Sequence, residues 1–163
     1  MKKLLSAPLA LLALALPLPA SALLCVGCAC TVSTTGVAFG AYAPLSGSPG
    51  LSTGNVSVRC TTTVGLLVSY TIDLGKGSSG SFTPRKMVSG SNRLDYNLYT
   101  SNTYASIWGD GNGGTTRVSS GDVALSLQGA TTVNYTVYGR IPASQQTVPP
   151  GFYTDSIPVT VTF

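Results

Sequence analysis

Apolar and polar residues alternate with a period of two through most of the chain, and a segment with that period can bury one side of itself only as a β-strand. Val56, Val58 and Cys60 alternate with Ser57, Arg59 and Thr61, and Leu66, Val68, Tyr70, Ile72 and Leu74 alternate with a face carrying Ser69, Thr71 and Asp73. Leu94, Tyr96 and Leu98 alternate with Asp95, Asn97 and Tyr99, and Val133, Tyr135 and Val137 with Asn134, Thr136 and Tyr138. Val123, Leu125 and Leu127 make a shorter set, and Ile157, Val159, Val161 and Phe163 the last. Glycine- and serine-rich turns separate them, among them 46–50, 75–80 and 109–114. About seven short half-buried strands in one domain predict an all-β sandwich.

The final strand carries two unusual features. Its apolar alternation runs to Phe163, so the sheet it belongs to is expected to lack a last strand. Pro158 cannot donate a ladder hydrogen bond, which puts this strand at a sheet edge or next to an irregular pairing. An open edge seeks a partner strand unless the protein's own loops cover it.

Composition narrows the chemistry. Only 9% of the residues are charged, and there is no His. The five acids are all Asp, so Ser/His, Cys/His and Glu-based catalytic arrangements are all excluded, and no enzyme is expected. The basic residues are scattered, unlike a nucleic-acid surface. Lys2 and Lys3, the apolar run Leu4–Leu18 and the small residues Ala20-Ser21-Ala22 read as a secretory signal peptide over residues 1–22, with one domain over 23–163. Removing the leader discards two of the nine basic residues and leaves a nearly neutral protein.

Four cysteines in an exported chain suggest oxidation. Cys30, early in the first strand, and Cys60 in the second are the natural structural pair. Cys25 and Cys28 form a C-x-x-C that could serve as a second, local disulfide, an intersubunit link or a redox pair. Asp110-Gly111-Asn112-Gly113-Gly114 looks like the start of a calcium loop, but position five is Gly114 and position twelve is Gly121, so a glycine-rich turn is expected there and no metal site. The eight tyrosines, with Phe39, Phe82, Phe152, Phe163 and Trp108, could line a carbohydrate surface, although most fall at core-phase or loop-anchoring positions. Asn55-Val56-Ser57 and Asn134-Tyr135-Thr136 match the N-glycosylation pattern.

Four segments taken together carry a family resemblance. They are Cys30-Thr31-Val32-Ser33 leading to Val37-Ala38-Phe39-Gly40-Ala41-Tyr42; Leu94-Asp95-Tyr96-Asn97-Leu98-Tyr99-Thr100 leading to Trp108-Gly109-Asp110-Gly111; Tyr138-Gly139-Arg140-Ile141-Pro142; and Pro150-Gly151-Phe152-Tyr153-Thr154-Asp155 leading to Val159-Thr160-Val161-Thr162-Phe163. In this order they resemble the spore coat protein U family, whose members include subunits of archaic chaperone/usher pili.

The resemblance implies an immunoglobulin-like sandwich lacking its last strand and a disulfide between the positions of Cys30 and Cys60. It also implies a secreted structural subunit of a surface pilus or coat, involved in cell adhesion and biofilm formation. In such subunits a periplasmic chaperone lends a strand, and a neighbouring subunit's extension replaces it at an outer-membrane usher. Val37 and Phe39 of the first strand, with Ile157, Val159, Val161 and Phe163, would then line the acceptor groove as binding residues, with no cofactor. The leader from Leu23 to Ala29 reaches at most about 23 Å. That is short for a donor and points to a tip or minor subunit, or to a coat protein that assembles differently. The alternative reading is a self-sufficient secreted β-sandwich that binds glycans or another surface.

Overall fold

Ten strands form among the residues described by the computed structural model, which are 28–63, 66–125 and 129–163. Residues 1–22, expected as a signal peptide, lie outside them, as do Cys25 and Leu127. The strands are β1 (Cys28–Thr35), β2 (Gly50–Thr62), β3 (Leu66–Val68), β4 (Thr71–Leu74), β5 (Arg85–Ser89), β6 (Asn92–Tyr99), β7 (Val118–Ser119), β8 (Val123–Leu125), β9 (Ala130–Ile141) and β10 (Val159–Thr162). They make a five-stranded sheet in the order β1-β2-β9-β6-β5, a three-stranded sheet β10-β4-β7 and a two-stranded sheet β3-β8. All the pairings between these strands are antiparallel, as expected where one face of each strand is apolar and the other polar.

The predicted phase decides what is buried. Val56, Val58 and Cys60 from β2 meet Ile72 and Leu74 from β4 and Leu94, Tyr96 and Leu98 from β6 in one core, closed by Trp108. Cys30 and Cys60 lie directly opposite each other on β1 and β2 and are joined by a disulfide. Cross-linking residues 30 apart adds roughly 3–4 kcal/mol in the chain-entropy account. Cys28 is also disulfide-bonded.

Three boundaries differ from the sequence reading. The run Leu66–Leu74 is not one strand. It divides at Ser69 and Tyr70, where the Tyr70 N–H donates to the Ser120 hydroxyl and the Ser120 N–H to the Tyr70 carbonyl, both at 2.9 Å. The chain changes sheets there without changing phase, so Val68, Tyr70, Ile72 and Leu74 all stay buried. The first strand ends at Thr35, so Val37 and Phe39 lie beyond it. The last strand begins at Val159, after Pro158, whose carbonyl accepts the Gly75 N–H at 2.8 Å; β10 is the edge of its sheet, where a proline is tolerated.

Arg85 was one of several scattered basic residues in the sequence, yet its side chain is fully buried. Its Nε donates to the Gly75 carbonyl at 2.9 Å, Nη1 to Asn97 Oδ1 at 2.7 Å, and Nη2 to the carbonyls of Leu74 at 3.2 Å and Trp108 at 2.7 Å. The Phe82 ring lies 5.0 Å from the guanidinium. Asn97, on the polar phase of β6, is buried for the same reason, and its amide also donates to the Phe82 carbonyl at 2.6 Å. Burial presses the Arg85 pKa downward, and the four acceptors hold the charge in place. Arg85→Lys, which cannot reproduce the planar fork, is expected to cost about 2–4 kcal/mol. Urea unfolding of the purified protein measures it, and a midpoint unchanged from wild type would contradict the assignment.

Candidate functional site

A cleft of about 490 Å³ opens between the two larger sheets. Its floor is core: Val56, Leu74, Met87, Tyr96, Leu98 and Val137, from five different strands. One wall is the segment Thr34 to Gly40, and the other runs from Phe152 to Asp155 and on to Ile157 and Val159.

The first wall depends on two glycines of the sheet beneath it. A Cβ at Gly54 would stand 2.5 Å from the Thr35 carbonyl oxygen and 3.0 Å from Val37 Cγ2. A Cβ at Gly139 would stand 2.5 Å from Val37 Cγ1 and 2.6 Å from Phe39 Cζ. The chain can therefore leave β1 and lie down across β2 and β9 only because those positions carry no side chain. The Ser52 hydroxyl holds it by donating to the Ala38 carbonyl at 2.7 Å. Phe39 then meets the Tyr96 ring edge-on, centroids 6.1 Å apart, an arrangement worth roughly 0.5–1.5 kcal/mol beyond area burial.

The second wall is carried across the gap between sheets. Val88 and Thr154 exchange backbone hydrogen bonds of 2.8 and 3.0 Å, tying the wall to β5, while β10 pairs it to β4 further on. Tyr42 and Gly151 exchange another pair, at 2.7 and 3.2 Å, which closes one end of the cleft by joining the two walls. Asp155 is the charged group in the lining. Its Oδ1 accepts the N–H groups of Ser78 and Ser156, and its Oδ2 accepts the Tyr96 hydroxyl at 2.7 Å. Burial, then this bond to a carboxylate, pushes the Tyr96 phenol well above its ordinary range. Burial does the same to Tyr70, which also accepts the Tyr135 hydroxyl.

Of the six residues expected in a groove, the structure brings four together: Val37, Phe39, Ile157 and Val159 all line the cleft. Val161 lies farther along β10, opposite Ile72 and packed against the core. Phe163 is 57% exposed, with its ring 5.6 Å from Tyr70 where β3 gives way to β4. Both are carried past the cleft because β10 follows β4 away from it. The two paving glycines were missed as site residues. Gly139 stood within the quoted Tyr138-Gly139-Arg140 segment, and a glycine inside a strand pattern is the signal for close backbone approach. The glycine-rich stretch after Trp108 forms a turn in which Asp110 accepts the Asn112 N–H at 2.9 Å.

Residues 18–160 match the family model of the Spore Coat Protein U domain. Protein U of Myxococcus xanthus is 32% identical over 155 residues, covering 85% of this chain and 79% of that protein. Among solved structures, a chain in the CsuC-CsuE chaperone-tip adhesion subunit pre-assembly complex, from archaic chaperone-usher Csu pili of Acinetobacter baumannii, superimposes with a TM-score of 0.56 at 26% identity. The match covers 83% of this chain and 40% of that one. The shared architecture is an immunoglobulin-like sandwich.

Two measurements probe the cleft. Gly54→Ala drives a Cβ against backbone and should destabilise the protein by about 1–3 kcal/mol, whereas Gly36→Ala, with open space around it, should be nearly neutral in the same denaturant titration. Because Tyr96 and Tyr70 stay protonated in the fold, their contribution is complete below about pH 10 and is lost as pH rises further, where the unfolded chain ionises first. Melting temperature is therefore expected to fall steeply above about pH 10, and less steeply in Tyr96→Phe; parallel profiles would refute the role given to Tyr96.

Proposed function

Since the chain belongs to the Spore Coat Protein U domain family, we propose that it is an exported, non-enzymatic subunit of a surface pilus or coat, completed by a strand from a partner. The signal sequence 1–22 sends it to the periplasm, and the domain over 23–163 is then displayed at the cell surface. The observation that carries this reading is the cleft. Its floor consists of residues that belong to the core, Leu74, Tyr96 and Leu98 among them, while its two walls bond to each other at Tyr42 and Gly151.

A β-strand is the occupant that suits such a gap. Its backbone would pair with a wall and its alternate side chains would drop onto the apolar floor between Val37 and Phe39 on one side and Ile157 and Val159 on the other. A periplasmic chaperone supplies that strand first, and a neighbouring subunit replaces it at the outer-membrane usher. The resemblance to a chain solved in a chaperone-subunit complex supports the first of these partners. Val161 and Phe163 extend the same apolar phase along β10 and serve as the far end of the acceptor edge.

The test is to express the protein in a periplasm with and without its cognate chaperone, and separately with a donor strand fused after Phe163. Chaperone or fusion should raise recovery and melting temperature, and Val159→Asp should abolish the gain from either. Equal recovery and stability of the bare protein would overturn the reading.

A further inference from the structure

The outer face of the five-stranded sheet carries a second constellation, on the side away from the cleft. Leu98 and Val137 line the cleft, so their neighbours Tyr99 and Tyr138 point the other way. Tyr138 lies directly opposite Tyr99 on β6 and Thr53 on β2, and in the adjoining row Arg140 lies opposite Leu51. Beyond β6 the chain turns back through residues 100–106, pinned by the Thr100 N–H to the Ser106 carbonyl at 3.1 Å. At its tip Tyr104 holds φ at 54°. A left-handed backbone is costly for a bulky residue, and such strain persists where surrounding contacts enforce it. Here the enforced result is a ring set edge-on to Tyr99, centroids 5.4 Å apart, with the Arg140 guanidinium 5.6 Å from its centroid.

Charge on this face is one-sided. Among the described residues Arg140 forms no ion pair, and neither does Arg59 further along β2. Asp95, the acid on the outward phase of β6, is taken up by Lys86. The face therefore presents preset tyrosine rings, the Thr53 hydroxyl and an unneutralised planar cation whose fork matches a carboxylate.

We propose that Tyr99, Tyr104, Tyr138 and Arg140 form a binding site for an acidic saccharide, a sugar ring lying on the tyrosines with its carboxylate on Arg140. The aromatic rings supply apolar contact to the sugar's C–H face at little entropic cost, since all three are already half-buried and Tyr99 and Tyr104 are packed edge to face. The site sits on the opposite face from the strand cleft, so it stands or falls separately from strand exchange.

Calorimetric titration of the purified protein with a short oligogalacturonide, and with its methyl ester, reads the proposal. Saturable binding of the acid is expected, weakened about tenfold or more in the ester and in Arg140→Lys, which keeps charge but loses the fork. Tyr104→Gly removes the ring while relieving the left-handed strain, so it should melt no lower than wild type and yet lose most of the binding. Arg59→Ala should bind as wild type does. Absence of saturable binding, equal affinity for acid and ester, or unchanged affinity in Tyr104→Gly would each overturn the site.

Discussion

A guanidinium buried without a carboxylate against it, that of Arg85, joins the two larger sheets. Four acceptors hold it: the carbonyls of Leu74 and Gly75 at the end of β4, that of Trp108, and the amide oxygen of Asn97 on β6. Each of those carbonyls belongs to a strand end or a turn that has left its own ladder and would otherwise be an unpaired buried acceptor. The cation thus satisfies backbone that the sandwich cannot satisfy for itself. Trp108, whose ring nitrogen donates to the Ile72 carbonyl at 3.0 Å, extends the same clasp along β4. With the ends of β4 fixed, β10 has a strand to pair with, and the second wall of the cleft has an anchor.

The cleft has a different logic on its two sides. The wall from Thr34 to Gly40 lies on the sheet by absence of side chains at Gly54 and Gly139. The wall from Phe152 to Val159 is suspended by backbone hydrogen bonds, at Thr154 to β5 and through β10 to β4. Between them the floor is buried, but the apolar side chains of the walls, Val37, Phe39, Phe152, Ile157 and Val159, are left partly or largely exposed. That is an expensive arrangement in water, since apolar surface left exposed forgoes roughly 25 cal/mol for each Å² that burial would have gained. A protein that keeps such a surface gains most from a partner that covers it, which is the physical ground of the strand donation proposed above.

Scarcity of charge fits this economy of backbone and packing. Of the five carboxylates, Asp155 is spent on two N–H groups and the Tyr96 hydroxyl, Asp95 on Lys86, and Asp73 on Arg117 at 3.0 Å. The two ion pairs are partly exposed and worth little to stability. What specifies the structure is hydrogen bonding at chain ends and crossings, with side chains of Arg, Asn, Asp, Ser and Tyr answering particular backbone groups.

By itself the sequence determined that the alternating runs form strands and which of their faces is apolar, though it announced neither β5 nor β7, that Cys30 and Cys60 are a natural pair and that Pro158 belongs at an edge or beside an irregular pairing. All of these follow from local facts: a period of two, an imino nitrogen, a strand's reach. The family motifs added six residues as an acceptor groove, of which Val37, Phe39, Ile157 and Val159 line one cleft. Only the tertiary structure decided that 66–74 splits between two sheets, that Val37 and Phe39 leave β1 and lie on glycines of β2 and β9, and that Val161 and Phe163 pass beyond the cleft. It alone decided that Arg85 and Asn97 turn inward and that Tyr104 meets Tyr99 and Arg140 on the outer face. The reason is the same in each case: the deciding contacts join residues far apart in the chain, and alternation within a strand carries no information about which strand or crossing segment will lie beside it.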